Sequence, residues 1–152
     1  MSSDIIRARF EEWTKGLDPL AARISVFEHV RDIPYSFPAS RDPQEVLRNG
    51  CGSCSGKHYL LGELFRLLGL KARHMICTHR FNESPIGFEE AMQEMLRKNE
   101  IVDLHDYLQI DVDGAWVDVD ATWQKELREF GFPVNEELDG ASPMALSVVA
   151  EN

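Results

Sequence analysis

Cysteine is scarce in this 152-residue sequence, and long hydrophobic segments are missing from it. The three cysteines are an odd number, which excludes a fully paired disulfide scaffold and is typical of a protein from a reducing compartment. No apolar run approaches the ~18 residues of a membrane-spanning helix. The stretch from Met1 to Trp13 carries three acidic side chains and no signal-peptide core. We therefore expect a cytoplasmic protein.

Basic residues are also fewer than acidic residues. Lys and Arg total 16 and Asp and Glu total 26, so the formal net charge is −10. Such a charge repels phosphate backbones and anionic lipid surfaces, and we expect no nucleic-acid or membrane partner. With 43% hydrophobic and 28% charged residues, the composition is that of an ordinary globular protein. The length predicts one domain over residues 1–152.

Helical signals dominate the first half of the sequence. Apolar residues at helical spacing predict a helix over Asp4 to Thr14. Asp18-Pro19 and Asp42-Pro43 each provide an N-cap followed by proline at the first helical position. The strongest helical pattern runs from about Cys54 to Leu68 and ends at Gly69. Its predicted buried face consists of Leu60, Leu61, Leu64, Phe65 and Leu68.

Strand signals dominate the second half. The pattern predicts a strand over Leu70 to Thr78, a helix over Gly87 to Lys98, and strands over Val102 to Val112 and Ala115 to Ala121. The last two strands flank Asp113-Gly114, which is a favoured two-residue hairpin turn. Thr122 is expected to cap a short helix that runs to about Phe130, and the tail beyond is weakly patterned. Helices followed by an antiparallel sheet predict an α+β fold.

Cys54 is the candidate nucleophile because it lies at the predicted N-terminus of the longest helix. A thiol there faces unpaired backbone N–H groups and the positive end of the helix dipole, and both favour the thiolate. Glycines at 50, 52 and 56 are expected to leave room for a substrate beside the backbone. A nucleophilic cysteine also needs a base, and the base needs a group that orients it.

The predicted hairpin supplies such a pair. If Asp113 and Gly114 are the two turn residues, Tyr107 lies opposite Asp120. His105 is two residues from Tyr107, so it shares a sheet face with Asp120 and lies diagonal to it, within reach of a long side chain. Asp120 would orient the imidazole of His105 through one ring nitrogen and leave the other for Cys54.

These residues resemble those of a known family. Cys54, Leu64-Phe65-Arg66-Leu67-Leu68-Gly69-Leu70 and Ala72-Arg73 are similar to the nucleophile helix of transglutaminase-like proteins. His105 with Tyr107, then Gly114, Trp116 and Asp120-Ala121-Thr122, resembles the family's second half, in which a Gly-x-Trp hairpin leads to Asp-x-Thr. Arg23 to Tyr35 is similar to the helix and tyrosine that precede this core. The resemblance extends from about Arg23 to Trp123.

The resemblance implies a papain-like fold, in which N-terminal helices precede a nucleophile helix packed on an antiparallel sheet. It also implies a Cys54-His105-Asp120 triad and acyl transfer through a thioester, as in a peptidase, an amidase or an acyltransferase. Arylamine N-acetyltransferases resemble the same core. The expected partners are a peptide, amide or acyl-thioester substrate and an amine acceptor, without a cofactor or metal. Asp106 and the long insert from Arg80 to Asn99 depart from the common family pattern.

The sequence leaves the second oxyanion donor open. The backbone N–H of Cys54 is expected to be one donor. Tyr35, Arg48 and Asn49 are the candidates for the other.

Two alternative interpretations remain. The chain could be an inactive papain-like module that binds a peptide in its cleft. Alternatively, Cys51 and Cys54 form a C-x-x-C pair that could bind zinc if Cys77, His79 or His58 supplied further ligands. A reversible Cys51–Cys54 disulfide that silences the nucleophile is a further role for Cys51.

Overall fold

The computed structural model describes residues 3–83, 89–139 and 142–151. Four helices come first and are followed by strands, with a fifth helix between the first two strands. The helices are α1 (Asp4–Thr14), α2 (Pro19–Arg31), α3 (Pro43–Asn49), α4 (Cys54–Leu67) and α5 (Glu90–Lys98). The strands are β1 (Ala72–Arg80), β2 (Val102–Val112), β3 (Ala115–Val119) and β4 (Ala150–Glu151). Short 3₁₀ helices cover Phe81–Glu83 and Lys125–Phe130.

The helix boundaries follow the predicted capping signals. The Asp18 carboxylate accepts a hydrogen bond from the Ala21 N–H at 2.8 Å, and Asp42 accepts one from the Gln44 N–H at 2.8 Å. Both caps satisfy backbone donors that have no partner within the helix. Gly69 follows the C-cap of α4 with φ +81°, a left-handed conformation that favours glycine. These predictions are confirmed.

The sheet is antiparallel along its length, with the strand order β3-β2-β1-β4. Val112 pairs with Ala115, as the two-residue turn predicts. Asp113 and Gly114 both have positive φ, at 52° and 88°, which a type I′ turn requires. The predicted register is therefore confirmed, although β3 ends at Val119, and Asp120 and Ala121 lie just beyond it.

Helix α4 lies across one face of the sheet and carries most of the core. The predicted residues Leu60, Leu61, Leu64 and Phe65 are fully buried, whereas Leu68 is only partly buried. They pack with buried residues of α2 and of the hairpin, namely Val26, Phe27, Val30, Leu108, Ile110, Val117 and Val119. Burying such large side chains stabilises the contact by roughly 1.5–3 kcal/mol per residue. The α+β prediction is confirmed.

The tail has more structure than its weak pattern predicts. Leu138 is buried in the core, the Met144 N–H donates to the Asp118 carbonyl at 2.9 Å, and β4 pairs with β1. Gly87, at the start of the predicted helix, lies outside the described residues, and α5 begins at Glu90. Within the described part of the chain, no helix is long and apolar enough to cross a membrane.

Candidate active site

Cys54 is the first residue of α4, as the helical pattern predicts. The preceding Ser53 makes no side-chain cap hydrogen bond, so its hydroxyl does not occupy the first N–H groups of the helix. The segment that precedes Cys54 pairs with the segment around Tyr35. The Gly52 N–H donates to the Pro34 carbonyl and the Ser36 N–H donates to the Gly52 carbonyl, both at 3.0 Å. Cys54 itself is partly exposed and therefore accessible.

Two of the glycines around Cys54, Gly52 and Gly56, serve the packing of the protein. A Cβ on Gly56 would lie 2.6 Å from the Ser40 carbonyl oxygen, and one on Gly52 would lie 3.1 Å from Lys57 Cγ. Gly50 instead adopts φ +67° as the C-cap of α3. Gly52 and Gly56 therefore face protein atoms rather than leave room for a substrate, whereas the space beside Gly50 is open.

His105 and Asp120 meet as the hairpin register predicts. The Nε2–H of His105 donates to Oδ2 of Asp120 at 2.7 Å, and both side chains are buried. Cys54 lies close enough to the imidazole to raise its pKa. The structure thus brings together all three residues that the sequence nominated. Because Nε2 is engaged by Asp120, Nδ1 is the ring nitrogen left for Cys54.

The Asp120 carboxylate is surrounded by donors. Thr122 donates to Oδ1 through its N–H at 3.0 Å and its hydroxyl at 2.6 Å. Ser147 donates its N–H to Oδ2 at 2.8 Å and its hydroxyl to Oδ1 at 2.7 Å. Burial would raise the pKa of Asp120, but the hydrogen bond and charge of His105 and the hydrogen bond from Thr122 hold it well below its ordinary value. Asp120 is therefore an ionised carboxylate in the protein interior.

His105 is held as an imidazolium by its neighbours. Burial lowers its pKa, but the hydrogen bonds and negative charges of Asp120 and Cys54 outweigh burial and raise the pKa to about 10. A cationic ring beside a sulfur atom favours the thiolate. An imidazolium next to a cysteine is the arrangement found where a cysteine acts as a nucleophile.

His58 has a structural role rather than a place in a cleft. It is fully buried, and its Nε2 accepts a hydrogen bond from the Ala121 N–H at 2.9 Å. Its Nδ1–H therefore donates to the Cys54 carbonyl at 2.8 Å. Burial lowers its pKa to about 4, so the ring is neutral. His58 therefore connects Cys54, at the start of α4, to Ala121, the residue that follows Asp120.

Lys57 is a fully buried cation one helical turn from Cys54. Its Nζ donates to the Arg31 carbonyl at 2.9 Å and to the Thr122 carbonyl at 2.7 Å. Burial lowers its pKa to about 7, against the charges of Asp120 and Asp32, which raise it. Lys57 thus joins the end of α2 to the segment after Asp120.

The buried Lys57 makes stability depend on pH. The unfolded chain keeps this proton up to about pH 10.5, whereas the folded protein releases it near pH 7, so this contribution to stability rises with pH between those values. From about pH 6.5 to 10 we expect the free energy of unfolding of wild type to rise by roughly 2–4 kcal/mol relative to that of Lys57→Met. Urea denaturation at both pH values measures it. Lys71→Met is the control at an exposed site, and its free energy of unfolding should differ from that of wild type by the same amount at both pH values. The same result for Lys57→Met would show that Lys57 does not cause the pH dependence.

Asp106, which departs from the family pattern, fixes the start of α4. It is buried, and its Oδ2 accepts a hydrogen bond from the Ser55 hydroxyl at 2.7 Å. Ser55 follows Cys54 and Asp106 follows His105, so this bond connects the two chain segments that carry the nucleophile and the histidine. Asp106, the residue that departs from the family pattern, thus has a specific hydrogen-bond partner in Ser55.

Tyr35 is the oxyanion candidate on which the charge of Cys54 acts. Burial raises its pKa to about 12, and the charges of Cys54 and Asp103 act in the same direction, so the phenol keeps its proton. Its ring packs on Trp123 with the centroids 4.6 Å apart. Arg48 and Asn49 are exposed, and Arg48 binds Glu45 and Gln44 instead.

The zinc interpretation finds no support in the described residues. All three cysteines are free, and no group of three or more His, Cys, Asp or Glu side chains in the described ranges could hold a metal ion. His58 is committed to two backbone partners, as described above. Cys77 is partly buried, and burial raises the pKa of its thiol.

Sequence reasoning missed two donors to Asp120. Thr122 does not cap the helix that follows it; the 3₁₀ helix there begins after Gln124 without a side-chain cap, and the Thr122 hydroxyl binds Asp120 instead. Ser147 lies in the weakly patterned tail, where no local signal marks it. The Asp-x-Thr spacing could have revealed Thr122, because an aspartate side chain commonly accepts a hydrogen bond from the backbone N–H two residues later.

Comparisons with known proteins agree with this fold. The sequence matches the family model of the transglutaminase-like superfamily over residues 11–121. The crystal structure of a candidate cysteine protease from Cytophaga hutchinsonii is similar, with a TM-score of 0.55 and 16% identity over 82% of this chain and 38% of that one. A TGase structure is similar too, with a TM-score of 0.54 and 15% identity over 78% of this chain and 31% of that one.

The chain therefore spans well under half the length of either structure. No significant match was found among curated proteins. The family match covers most of the chain and includes α4, both central strands and Asp120. The chain belongs to the transglutaminase-like superfamily, with the α+β core that its nucleophile-helix and hairpin motifs imply.

Proposed function

We propose that this protein is a cysteine-dependent acyl-transfer enzyme that acts through Cys54, His105 and Asp120. The observation that carries the proposal is the 2.7 Å hydrogen bond from His105 to a buried, ionised Asp120, together with the influence of the nearby Cys54 on the pKa of His105. A base that is hydrogen-bonded to the nucleophile and oriented by a third group is typical of nucleophilic catalysis. The helix N-terminus at Cys54 supports the same chemistry.

The proposed reaction has two steps. The Cys54 thiolate attacks the carbonyl carbon of an amide or thioester, and the Nδ1–H of His105 gives its proton to the departing amine or thiol. His105 then takes a proton from water or an amine, which attacks the thioester and releases Cys54. Asp120 stays ionised throughout and holds the ring. Hydrolysis and acyl transfer share the first step and differ in which acceptor reaches the thioester.

Tyr35 is our proposed second oxyanion donor, beside the backbone N–H of Cys54. A protonated phenol near the nucleophile can donate to the oxygen that becomes negative in the tetrahedral intermediate. The pairing of Gly52 with the Tyr35 segment fixes this residue relative to Cys54. Arg48 and Asn49 have exposed side chains and lack such support.

Site-mapped alkylation tests the proposal. Wild type and His105→Ala are treated with iodoacetamide at several pH values, and the modified cysteines are quantified by mass spectrometry. At about pH 6.5 we expect Cys54 to react at least about tenfold faster than Cys51 and Cys77, and we expect His105→Ala to remove that advantage. The exposed His29 provides the matched control His29→Ala, which should react like wild type.

The opposite outcome supports the binding-module interpretation. If Cys54 reacts no faster than Cys51 and is insensitive to His105→Ala, the thiol is not activated. A module that only binds a peptide does not need an activated thiol. The catalytic proposal would then be wrong.

A further inference from the structure

The C-terminal strap, residues 142–151, reaches the buried carboxylate at the centre of the site. Ser147 in this strap is almost completely buried, at 2% exposure. It lies outside the segment that matches the family model, which ends at residue 121. We propose that Ser147 is a positioning residue that fixes the Asp120 carboxylate, so that the strap completes the active site. This inference rests on the proposed function of Asp120.

Ser147 contacts both oxygens of Asp120. Its N–H donates to Oδ2 at 2.8 Å, and Oδ2 is the oxygen that accepts from His105. Its hydroxyl donates to Oδ1 at 2.7 Å. Rotation of the carboxylate about its Cβ–Cγ bond would break both bonds at once. The strap therefore fixes the plane of the Asp120 carboxylate and, with it, the orientation of the His105 ring.

The strap is held on both sides of Ser147. Before it, the Met144 N–H donates to the Asp118 carbonyl at 2.9 Å. The Asn135 side-chain amide joins the strap to the strand end, since it donates to the Asp120 carbonyl at 2.9 Å and to the Ala145 carbonyl at 2.8 Å.

After Ser147, strand β4 pairs with β1, and the Arg80 guanidinium lies 2.9 Å from the Glu151 carboxylate. With anchors on each side, Ser147 has little freedom to leave the carboxylate. Such support from residues behind a catalytic group is what maintains its geometry.

The hydroxyl of Ser147 also shares the negative charge of Asp120. A hydrogen bond to a carboxylate stabilises its charge and weakens its pull on a neighbouring proton. Without this hydroxyl, Oδ1 depends on Thr122 alone for hydrogen bonds. Two consequences follow: the carboxylate turns more easily, and it holds the imidazolium proton of His105 more tightly.

Ser147→Ala tests the inference, with Ser142→Ala as the control because Ser142 is exposed in the same strap. The first readout is the rate constant for acetylation of Cys54 by p-nitrophenyl acetate, followed by mass spectrometry. The second is the titration of the His105 ring by NMR. We expect Ser147→Ala to slow acetylation about threefold to tenfold and to raise the pH at which His105 titrates by about half a unit. Ser142→Ala should match wild type in both.

A purely structural role would leave the His105 titration unchanged. Wild-type acetylation and wild-type titration in Ser147→Ala would therefore overturn the inference, even when Cys54 is active. If Cys54 of wild type is not acetylated at all, the proposed function is wrong, and the titration still decides whether Ser147 acts on Asp120. Should Ser147→Ala be partly unfolded, Ser147→Cys replaces it, because it keeps the shape and weakens the donor. For Ser147→Cys we expect a smaller decrease in the acetylation rate and a smaller rise in the pH at which His105 titrates.

Discussion

Asp120→Asn is expected to lower the rate of Cys54 acetylation by p-nitrophenyl acetate about 10³- to 10⁴-fold. The carboxylate accepts from His105 and Ser147 on Oδ2 and from Thr122 and Ser147 on Oδ1. An amide at this position has one accepting oxygen. Its NH₂ group must therefore face a backbone N–H, either that of Ser147 or that of Thr122. The His105 ring loses its anionic partner and with it the imidazolium that favours the thiolate.

The measurement compares acetylation rates of wild type and Asp120→Asn under conditions in which circular dichroism shows both to be folded. Asp113→Asn is the matched control, because Asp113 is exposed in the hairpin turn, where asparagine is equally suited. It should acetylate at the wild-type rate. A decrease of less than tenfold in Asp120→Asn would contradict the triad.

Tyr35→Phe should separate acyl transfer from simple alkylation. We expect its acetylation rate with p-nitrophenyl acetate to fall about 10²- to 10³-fold, because one donor to the developing oxyanion is lost. Alkylation by iodoacetamide forms no oxyanion, so that rate should stay within about twofold of wild type. The ring of Tyr35 packs on Trp123, and phenylalanine keeps this contact.

Tyr59→Phe provides the control, since Tyr59 lies on α4 and packs against His74 instead. It should leave both rates unchanged. An equal loss of both reactions in Tyr35→Phe would mean that Tyr35 supports the thiolate rather than the oxyanion. An unchanged acetylation rate would remove Tyr35 from the site.

The meeting of His105 and Asp120 follows from local rules. Asp113-Gly114 adopts the two positive φ values that its turn type requires, and the turn type sets which residues pair. Once Val112 faces Ala115, the ladder runs to the Leu108–Val119 pair, and Asp120 follows directly, within hydrogen-bond distance of His105. The start of α4 at Cys54 and the caps at Asp18 and Asp42 are local in the same sense.

The predicted boundaries were less accurate where tertiary contacts decide them. Strand β3 ends two residues early, since Asp120 turns out of the ladder to meet its donors. Lysine is a residue type that is almost never fully buried unless it is paired, and Lys57 is fully buried. It is enclosed by the Arg31 and Thr122 carbonyls, which come from segments far from it in the chain.

The sequence by itself determined the α+β class, the position of Cys54 at a helix N-terminus and the hairpin turn that places His105 near Asp120. These features depend on residues close to one another in the chain, through helical periodicity, capping and turn geometry. Only the tertiary structure decided that Ser147, Thr122 and His58 surround the carboxylate, and that Gly52 and Gly56 face protein atoms. Hydrogen bonds that join segments distant in sequence leave no periodic pattern, because they depend on how the finished elements pack.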